Sequence, residues 1–276
     1  MPIAIVTDST CDLSPETAAQ HQIHVVPNIL VIDGQSLEDG RDISRQEFYE
    51  RLPHMKTVPT TASASAGTFQ TLYERLFKQG IKQIISLHAP SSLSGIFNAA
   101  RLAAQSFDSK VEVVDSGQVS LGLGFQAIAA AEAAAKGLSL ETIFTEIEAI
   151  RQRVHVVAML DTLEYVRRSG RVSWARARLG SLLEIKPFVE MREGKVLNLG
   201  EARTRHKGVD RLIQMLQNLG PLERLAILHT NAEKDAQQLL QQLKIEINAI
   251  PMLVNVTTVL GTHVGPNGLG FVAVTR

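Results

Sequence analysis

Short β-branched runs alternate with helical stretches over the first 155 residues, and this alternation constrains the fold more than any other feature of the chain. A strand that leads through a helix to the next strand forms a βαβ unit, so neighbouring strands are parallel and helices cover the sheet. The predicted strands are Ile3–Thr7, Val25–Ile32, Gln83–Leu87 and Val111–Val114, and the predicted helices are Pro15–His21, Ser44–Leu52, Gly67–Lys78, Leu93–Ser106 and Val119–Lys136. Residues 1–155 are therefore predicted to form an N-terminal Rossmann-like α/β domain with a parallel sheet.

The pattern changes near Arg153, after which strands and helices follow in a less regular order. The strands predicted here include Val154–Leu160, Glu184–Glu190, Val196–Leu199, Leu225–His229 and Phe271–Thr275, and the helices are Leu163–Ser169, His206–Leu219 and Asn231–Leu243. Residues 156–276 are predicted to form a C-terminal α/β domain with a mixed sheet.

Composition argues against several classes of protein. Lys+Arg and Asp+Glu both total 28 and aromatic residues make up 5% of the chain, so it lacks the positive field and the stacking surfaces of a general nucleic-acid binder. The histidines show no ligand spacing, which predicts no metal site. A single cysteine, Cys11, is compatible with a reducing compartment, and no stretch approaches the ~20 apolar residues of a membrane span. These features predict a cytoplasmic protein without an integral membrane segment.

Three short stretches place small hydroxyls or an imidazole beside glycine or proline at predicted strand ends: Thr60–Ser63, Ser91–Gly95 and Gly261–Pro266. Groups of this kind present hydrogen bonds to a small anionic or carbonyl group. In a parallel sheet, ligands bind at the carboxyl ends of the strands, where Asp8 and Ser9 are also predicted to lie. The sequence therefore predicts a ligand-holding pocket in this region.

Each stretch also has a simpler interpretation. Thr61 precedes a predicted helix, so it is compatible with a helix N-cap in a polar loop. Ser91–Gly95 is a predicted strand-to-helix turn whose amides suit an anion, but it has neither the Gly-x-Ser-x-Gly elbow of a hydrolase nor the Gly-Lys-Thr of a phosphate loop. His263 is predicted to lie in a glycine-rich turn between two apolar runs, where a lone histidine is usually structural or solvated. The flanking glycines favour the binding role, because they let a ring approach a ligand closely.

Arginines concentrate between Arg167 and Arg178. The guanidinium group suits phosphate or carboxylate recognition, and a solvated face with ion pairs explains most of these arginines equally well. Arg171 and Arg203 are the stronger candidates, because each sits in a predicted turn flanked by Gly, Ser or Thr.

Seven short motifs follow one another from end to end of the chain. They are Val6–Leu13, Ser91–Gly95, Val113–Ser116, Gly170–Ser173, Lys186–Pro187, Ala202–Arg205 and His263–Pro266. In this order they make the chain resemble the DegV family, the fatty-acid-binding subunits that present acyl chains to bacterial fatty acid kinase. The resemblance implies a two-domain DegV-like fold with a buried acyl chain between or beside the domains.

The resemblance also implies roles for individual residues. Thr61, Ser94 and His263 would hold the carboxylate of a long-chain fatty acid (roughly C14–C18), while burial of the acyl tail would drive binding. Arg171 and Arg203 would face the mouth, where an ATP-dependent kinase subunit and the acyl-phosphate product are accommodated. The supporting residues would be Asp8, Ser9, Ser92 and Gly95. The chain would then be a non-catalytic, substrate-presenting subunit with no cofactor beyond its fatty-acid ligand.

Three other functions stay open at the level of the sequence. A dihydroxyacetone-kinase-like substrate subunit would bind a small carbonyl compound through His263, an analogy that rests on fold alone. A serine hydrolase would use Ser94 or Ser92 as its nucleophile. Nucleic-acid binding would use the arginine-rich stretch, against the neutral net charge of the chain.

Overall fold

The strands of the protein fall into a parallel sheet, a mixed sheet and a small antiparallel sheet. This computed structural model describes residues 2–176, 185–247 and 249–276, and the predictions for Arg178 and Glu184 fall outside that part of the chain. Its strands are β1 Ile3–Asp8, β2 Ile23–Val26, β3 Ile29–Ile32, β4 Gln35–Glu38, β5 Thr60–Ala62, β6 Gln83–His88, β7 Val111–Asp115, β8 Val154–Met159, β9 Lys186–Arg192, β10 Lys195–Ala202, β11 Leu222–His229, β12 Met252–Asn255 and β13 Leu269–Thr275. Its helices are α1 Pro15–Gln20, α2 Arg45–Arg51, α3 Ala66–Lys78, α4 Ile96–Ala104, α5 Leu121–Ala135, α6 Leu140–Arg153, α7 Glu164–Ser169, α8 Ser173–Arg176, α9 Arg205–Gln217, α10 Glu233–Gln242 and α11 Thr258–Val264.

The N-terminal sheet is parallel and has the strand order β2-β1-β6-β7. Side chains along β1 alternate between its two faces, as the two-residue repeat of a strand requires. Ala4 and Val6 pack with α3 and α4, whereas Ile5 packs with α5. Helices therefore cover both faces of the sheet, which confirms the predicted parallel-sheet α/β arrangement.

The prediction of one strand over Val25–Ile32 is wrong. The chain leaves the parallel sheet after Val26, and Ile29 begins a strand of the small antiparallel sheet, ordered β4-β3-β5. Proline has no N–H to donate to a strand ladder, so Pro27 interrupts the pairing. The next N–H, that of Asn28, donates to the Ser9 hydroxyl at 3.1 Å instead of to a strand.

Helix α5 lies between the parallel and the mixed sheet. It contacts β1, β2 and β6 on one side and β8 and β13 on the other, within one continuous apolar cluster. Two glycines allow the close approach: a Cβ on Gly122 would lie 2.6 Å from a methyl group of Val156, and one on Gly124 would lie 2.7 Å from the Cys11 carbonyl. The two sheets therefore share a core.

The C-terminal sheet is mixed and has the strand order β10-β9-β8-β13-β11-β12. Its pairs are antiparallel except for β11 with β12, and this confirms the predicted mixed-sheet α/β arrangement. Its first strand in the chain begins at Val154, while a domain boundary between residues 155 and 156 stays a prediction. Within the described ranges, no helix is long and apolar enough to cross a membrane.

Candidate functional site

A cavity of about 250 Å³ lies between the carboxyl ends of the parallel strands and one face of the mixed sheet. Its wall is largely apolar. The principal apolar side chains are Val156, Ala158, Leu160, Val189, Met191, Val196, Leu228, Val259, Leu260, Val264 and Leu269. Among the described residues of the wall there is no Asp, Glu or Lys. The cavity therefore suits a ligand with a long apolar part and no positive charge of its own.

The middle of the mixed sheet supplies the floor of this cavity. Ala158 lies in β8 and pairs with Val189 on one side and Gly270 on the other. Despite this central position, Ala158 and Val189 are only half-buried, because their remaining surface faces the cavity. Apolar surface in this position gains free energy when an apolar ligand removes it from water.

Thr61 and His263 meet at the polar end of the cavity. Thr61 lies in β5, where it pairs with Leu30, and its Oγ1 is 3.0 Å from Nε2 of His263. The alternative interpretation of Thr61 as a helix N-cap is wrong, since Ser65 caps α3 and accepts the N–H of Thr68 at 3.1 Å. β-Sheet pairing thus fixes the Thr61 hydroxyl beside the imidazole.

His263 lies in α11, so the predicted glycine-rich turn is wrong at this position. Gly261 is helical, and its missing side chain makes room for a ring: a Cβ there would lie 2.3 Å from Oη of Tyr49. Gly265 ends the helix at φ +80°, a conformation that glycine adopts readily, with Tyr165 packed against it. The glycines of this motif therefore set helix packing and helix termination.

Burial and the nearby guanidinium of Arg171 lower the pKa of His263 from 6.5 to about 4. The imidazole is thus neutral near pH 7, with one nitrogen that donates and one that accepts. If Nε2 carries the proton, it donates to Thr61 Oγ1 and leaves the Thr61 hydroxyl proton for a ligand oxygen. Nδ1 is buried and bonds to no group of the described residues, and an unpaired acceptor at that position costs less than an unpaired N–H. The environment thus favours the Nε2–H form.

Ser94 lies in the predicted turn between β6 and α4, next to the end of the strand that carries Thr61. Its Oγ is 3.2 Å from Oγ of Ser63 and accepts the N–H of Ile96 at 3.2 Å. Gly95 also lines the cavity, and a Cβ there would meet Ser63 Oγ at 3.5 Å, an ordinary van der Waals distance. Hydroxyls from β5 and from this turn therefore gather at one end of the cavity.

Asp8 and Ser9 lie behind this polar end rather than on the wall. The Asp8 carboxylate is fully buried and accepts hydrogen bonds from five donors in Thr10, Asn28, His88 and Ala89. Burial raises the pKa of Asp8, but the His88 imidazole and the Thr10 donors outweigh it and hold the pKa below 3.8. Ser9 accepts the N–H of Asn28. Both residues therefore fix Thr10 and Asn28, which do line the cavity.

The remaining candidates lie in different places. Arg171 lines the cavity and is exposed, and its guanidinium donates to the Ser169 carbonyl at 2.6 Å. Arg203 is exposed between β10 and α9 and does not line the cavity. Ser92 is also off the wall and donates to the Gly194 carbonyl at 2.6 Å. The structure thus brings Arg171, Thr61, Ser94 and His263 to one cavity.

Sequence reasoning placed Ser63 in a candidate stretch without giving it a role of its own, and it missed Asn28 and the apolar floor. Ser63 follows the strand that holds Thr61, and a β-branched Thr60-Thr61 pair was the available signal for that strand. The floor is spread over β8, β9, β10 and β11. In the sequence these residues cannot be told from ordinary core residues. A strand that faces a cavity has the same alternation of apolar and polar side chains as a strand that faces packed side chains.

A family model described as "Uncharacterised protein, DegV family" matches residues 2–276. A DegV domain-containing protein of Streptomyces coelicolor is 34% identical over 279 residues, with 99% of each chain covered. The structure of a DegV family protein from Thermus thermophilus, described as one of fatty acid binding, matches with a TM-score of 0.91, 31% identity and 100% of both chains covered. DegV from Bacillus subtilis, described as a fatty acid binding protein, matches with a TM-score of 0.88, 32% identity and 100% of both chains covered.

Proposed function

Because this chain belongs to the DegV family, we propose that it binds a long-chain fatty acid and presents it to a separate ATP-dependent kinase subunit for acyl-phosphate formation. The carboxylate would bind at Thr61, Ser94 and His263, and the acyl tail would lie against the floor formed by the mixed sheet. The fatty acid binding described for the relatives from Thermus thermophilus and Bacillus subtilis supports this proposal.

The distribution of polar groups along the cavity carries the proposal. The hydroxyls of Thr61, Ser63 and Ser94 and the imidazole of His263 gather through mutual contacts, and most of the remaining wall is apolar. The other polar side chains on the wall are Thr10, Asn28, Ser120, Ser169, Arg171, His229 and Thr230. A fatty acid has the same distribution, with one polar group at the end of an apolar chain. The absence of Asp and Glu from the described wall removes the repulsion that a carboxylate ligand would otherwise meet.

The acyl tail and the carboxylate of the ligand contribute differently to the free energy of binding. Burial of about sixteen carbons at ~0.8 kcal/mol per methylene gives roughly 12 kcal/mol before the cost of association. Each charge-assisted hydrogen bond to the carboxylate adds about 2 kcal/mol, and desolvation of that group offsets part of the gain. The tail therefore sets affinity, and the head group sets the position of the acid along the cavity.

The polar end of the cavity lies near the surface, which suits transfer to a partner. Ala62, Gly95 and Arg171 line the cavity and are exposed. A phosphoryl donor held by another subunit would reach the carboxylate from this side, with Arg171 close to the new negative charge. The chain has no Gly-Lys-Thr phosphate loop of its own, so the nucleotide would belong to the partner.

The small-carbonyl alternative receives less support from the same wall. A compound of a few carbons with several hydroxyl groups would leave much of the apolar floor in contact with water and would bring polar groups against it. Such a ligand could still hydrogen-bond to His263, so the experiment includes it as an outcome.

The first test is the identity of any molecule that copurifies with the protein. We expect denaturation, organic extraction and mass spectrometry to release a straight-chain fatty acid in near-equimolar amount. A matched measurement adds palmitate or dihydroxyacetone to delipidated protein and follows binding by calorimetry. Uptake of dihydroxyacetone without uptake of palmitate would overturn the proposal in favour of the small-carbonyl function.

The second test addresses the head-group residues. The Thr61→Ala/Ser94→Ala protein should bind palmitate roughly tenfold to a hundredfold more weakly, because two hydrogen bonds to the carboxylate are lost. Ser92→Ala is the matched control, since Ser92 lies in the same turn but off the cavity wall. Equal affinity in the double variant and in the control would contradict this assignment of the site. Phosphorylation of the bound acid by an added kinase subunit is then tested separately.

A further inference from the structure

Four consecutive residues at the entry to α11 are each held by a side chain from the N-terminal part of the protein. The guanidinium of Arg45 donates to the Asn255 carbonyl at 2.5 Å, and the Tyr49 hydroxyl donates to the Val256 carbonyl at 3.0 Å. The N–H of Thr257 donates to Asp12 at 2.7 Å, and the hydroxyl of Thr258 donates to Asp39 at 2.8 Å. We call Asp12, Asp39, Arg45 and Tyr49 the α11 clamp.

Three of the four clamp residues are buried, and Arg45 is half-buried. Asp12 and Tyr49 are fully or almost fully buried, and Asp39 is 5% exposed. Arg45 lies 3.7 Å from Asp12, so the cation faces one of the two carboxylates. Asp12 also accepts the hydroxyl of Ser120 at 2.5 Å. Buried ionisable groups are costly to keep unless they are paired or hydrogen-bonded, and here both carboxylates and the guanidinium bond to groups of residues 255–258.

Helix α11 carries the polar and the apolar parts of the cavity wall together. His263 lies near its end, and Val259, Leu260 and Val264 line the cavity from the same helix. Tyr49 holds the segment just before this helix through its hydroxyl bond to Val256, and it packs against Gly261 within the helix. A shift of the helix entry therefore moves the imidazole and three apolar side chains at once.

We propose that the α11 clamp consists of positioning residues, which hold His263 within reach of Thr61 by fixing the entry to α11. None of the four clamp residues lines the cavity, so they act on the ligand through α11. The expected effect of the clamp on fatty-acid affinity rests on the proposed function, whereas its hold on α11 does not.

The test compares two buried tyrosines that each lose one hydroxyl. Tyr49→Phe removes the bond to Val256 and leaves the ring in place. Tyr73→Phe is the matched control: Tyr73 is also 0% exposed, and its hydroxyl donates to Ser86 at 2.8 Å on the α3 side of the parallel sheet. The Ser86 hydroxyl keeps its contact with His88 in the control.

Two readouts are measured on both variants and on the wild-type protein. The first is amide hydrogen exchange at Gly261 and Gly265, whose N–H groups bond to the Thr257 and Gly261 carbonyls at 2.8 Å each. The second is the dissociation constant for palmitate. We expect Tyr49→Phe to speed exchange at both glycines about fivefold or more and to weaken palmitate binding by a similar factor, as loss of one buried hydrogen bond implies. Tyr73→Phe should change neither.

Equal exchange at Gly261 and Gly265 in the two variants would overturn the hold on α11. Faster exchange in Tyr49→Phe with unchanged palmitate affinity would overturn the positioning role. If the wild-type protein takes up no palmitate, the proposed function fails, and the exchange rates still decide whether the clamp holds the helix.

A second variant, Gly261→Ala, changes the contact between α11 and Tyr49 on the helix instead of on the tyrosine. Its new methyl group would lie 2.3 Å from Tyr49 Oη and 2.7 Å from the ring, and the fully buried tyrosine has no room to move aside. The helix must shift, so palmitate should bind at least tenfold more weakly while the far face of the parallel sheet keeps its exchange protection. Unchanged affinity in a folded Gly261→Ala protein would contradict the proposal.

Discussion

The polar end of the cavity and its apolar floor differ in how far their groups already contact other groups of the protein. At the polar end, Thr61 contacts His263 and Ser63 contacts Ser94, so these groups hold one another in place. Along the floor, side chains such as Ala158 keep part of their surface toward the cavity although they lie in the middle of a sheet. The polar end is therefore preorganised, whereas the floor gains most of its free energy from a ligand.

The largest loss of palmitate affinity is expected when a bulky side chain fills the space above the floor. Ala158→Phe would place a ring where the tail lies and exclude about five methylenes, which at ~0.8 kcal/mol each corresponds to a roughly 1000-fold loss of palmitate affinity. Ala158→Ser nearly preserves the volume and is the control. Calorimetric titration of delipidated protein measures both. Equal affinities for palmitate would show that the tail does not lie against β8.

The pH dependence of the unfolding free energy tests the environment of His263 at the polar end. The folded pKa of His263 is lowered from 6.5 to about 4, so its neutral form stabilises the fold above pH 6.5 and this contribution is lost as the pH falls toward 4. The shift corresponds to about 3 kcal/mol at most. Denaturant unfolding at several pH values should show this loss in the wild-type protein but not in His263→Gln.

A second buried group acts in the opposite direction over the same range. Burial raises the pKa of Asp12 from 3.8 to about 6, so its contribution is present below pH 3.8 and is lost as the pH rises through 6. The comparison of wild type with His263→Gln cancels this contribution, since both contain Asp12. A difference in unfolding free energy that stays constant from pH 7 to pH 4 would contradict the lowered pKa of His263.

The smallest effect is expected at the two arginines that the resemblance places at the mouth, Arg171 and Arg203. Arg171→Ala should weaken palmitate binding a few-fold, because it removes an exposed cation that attracts the carboxylate. Salt screens the attraction between exposed charges, so the loss should be larger at low salt. Arg203→Ala should leave palmitate binding unchanged, since Arg203 does not line the cavity. Titrations at two salt concentrations test the pair. Equal losses in the two variants would place Arg203 at the mouth after all.

Much of the fold could be predicted because its strands and helices have strong local patterns. Strands β1, β6 and β7 differ from their predicted bounds only by a residue at the end. Strands β4 and β5 could not be found in this way. They are short, and their pairing with β3 depends on contacts between segments distant in the chain.

The sequence predicted which residues come together at the candidate site better than it predicted the strand and the helix that carry them. Thr61, Ser94 and His263 do meet at one end of the cavity, although two of them lie on elements that the sequence did not predict. Gly261 explains the error at His263. Glycine is a general signal for turns, but here it marks the place where a helix needs room for the ring of Tyr49.

The buried position of α5 has a consequence for the divergence of this protein from its relatives. Residues on one side of that helix touch the parallel sheet, and residues on the other side touch the mixed sheet. A substitution in β1 that changes how the helix sits is therefore felt in β8 and β13, because close-packed interiors transmit such shifts. The two sheets cannot drift independently, and a chimera that joins the N-terminal half of one relative to the C-terminal half of another must match both partners of this helix.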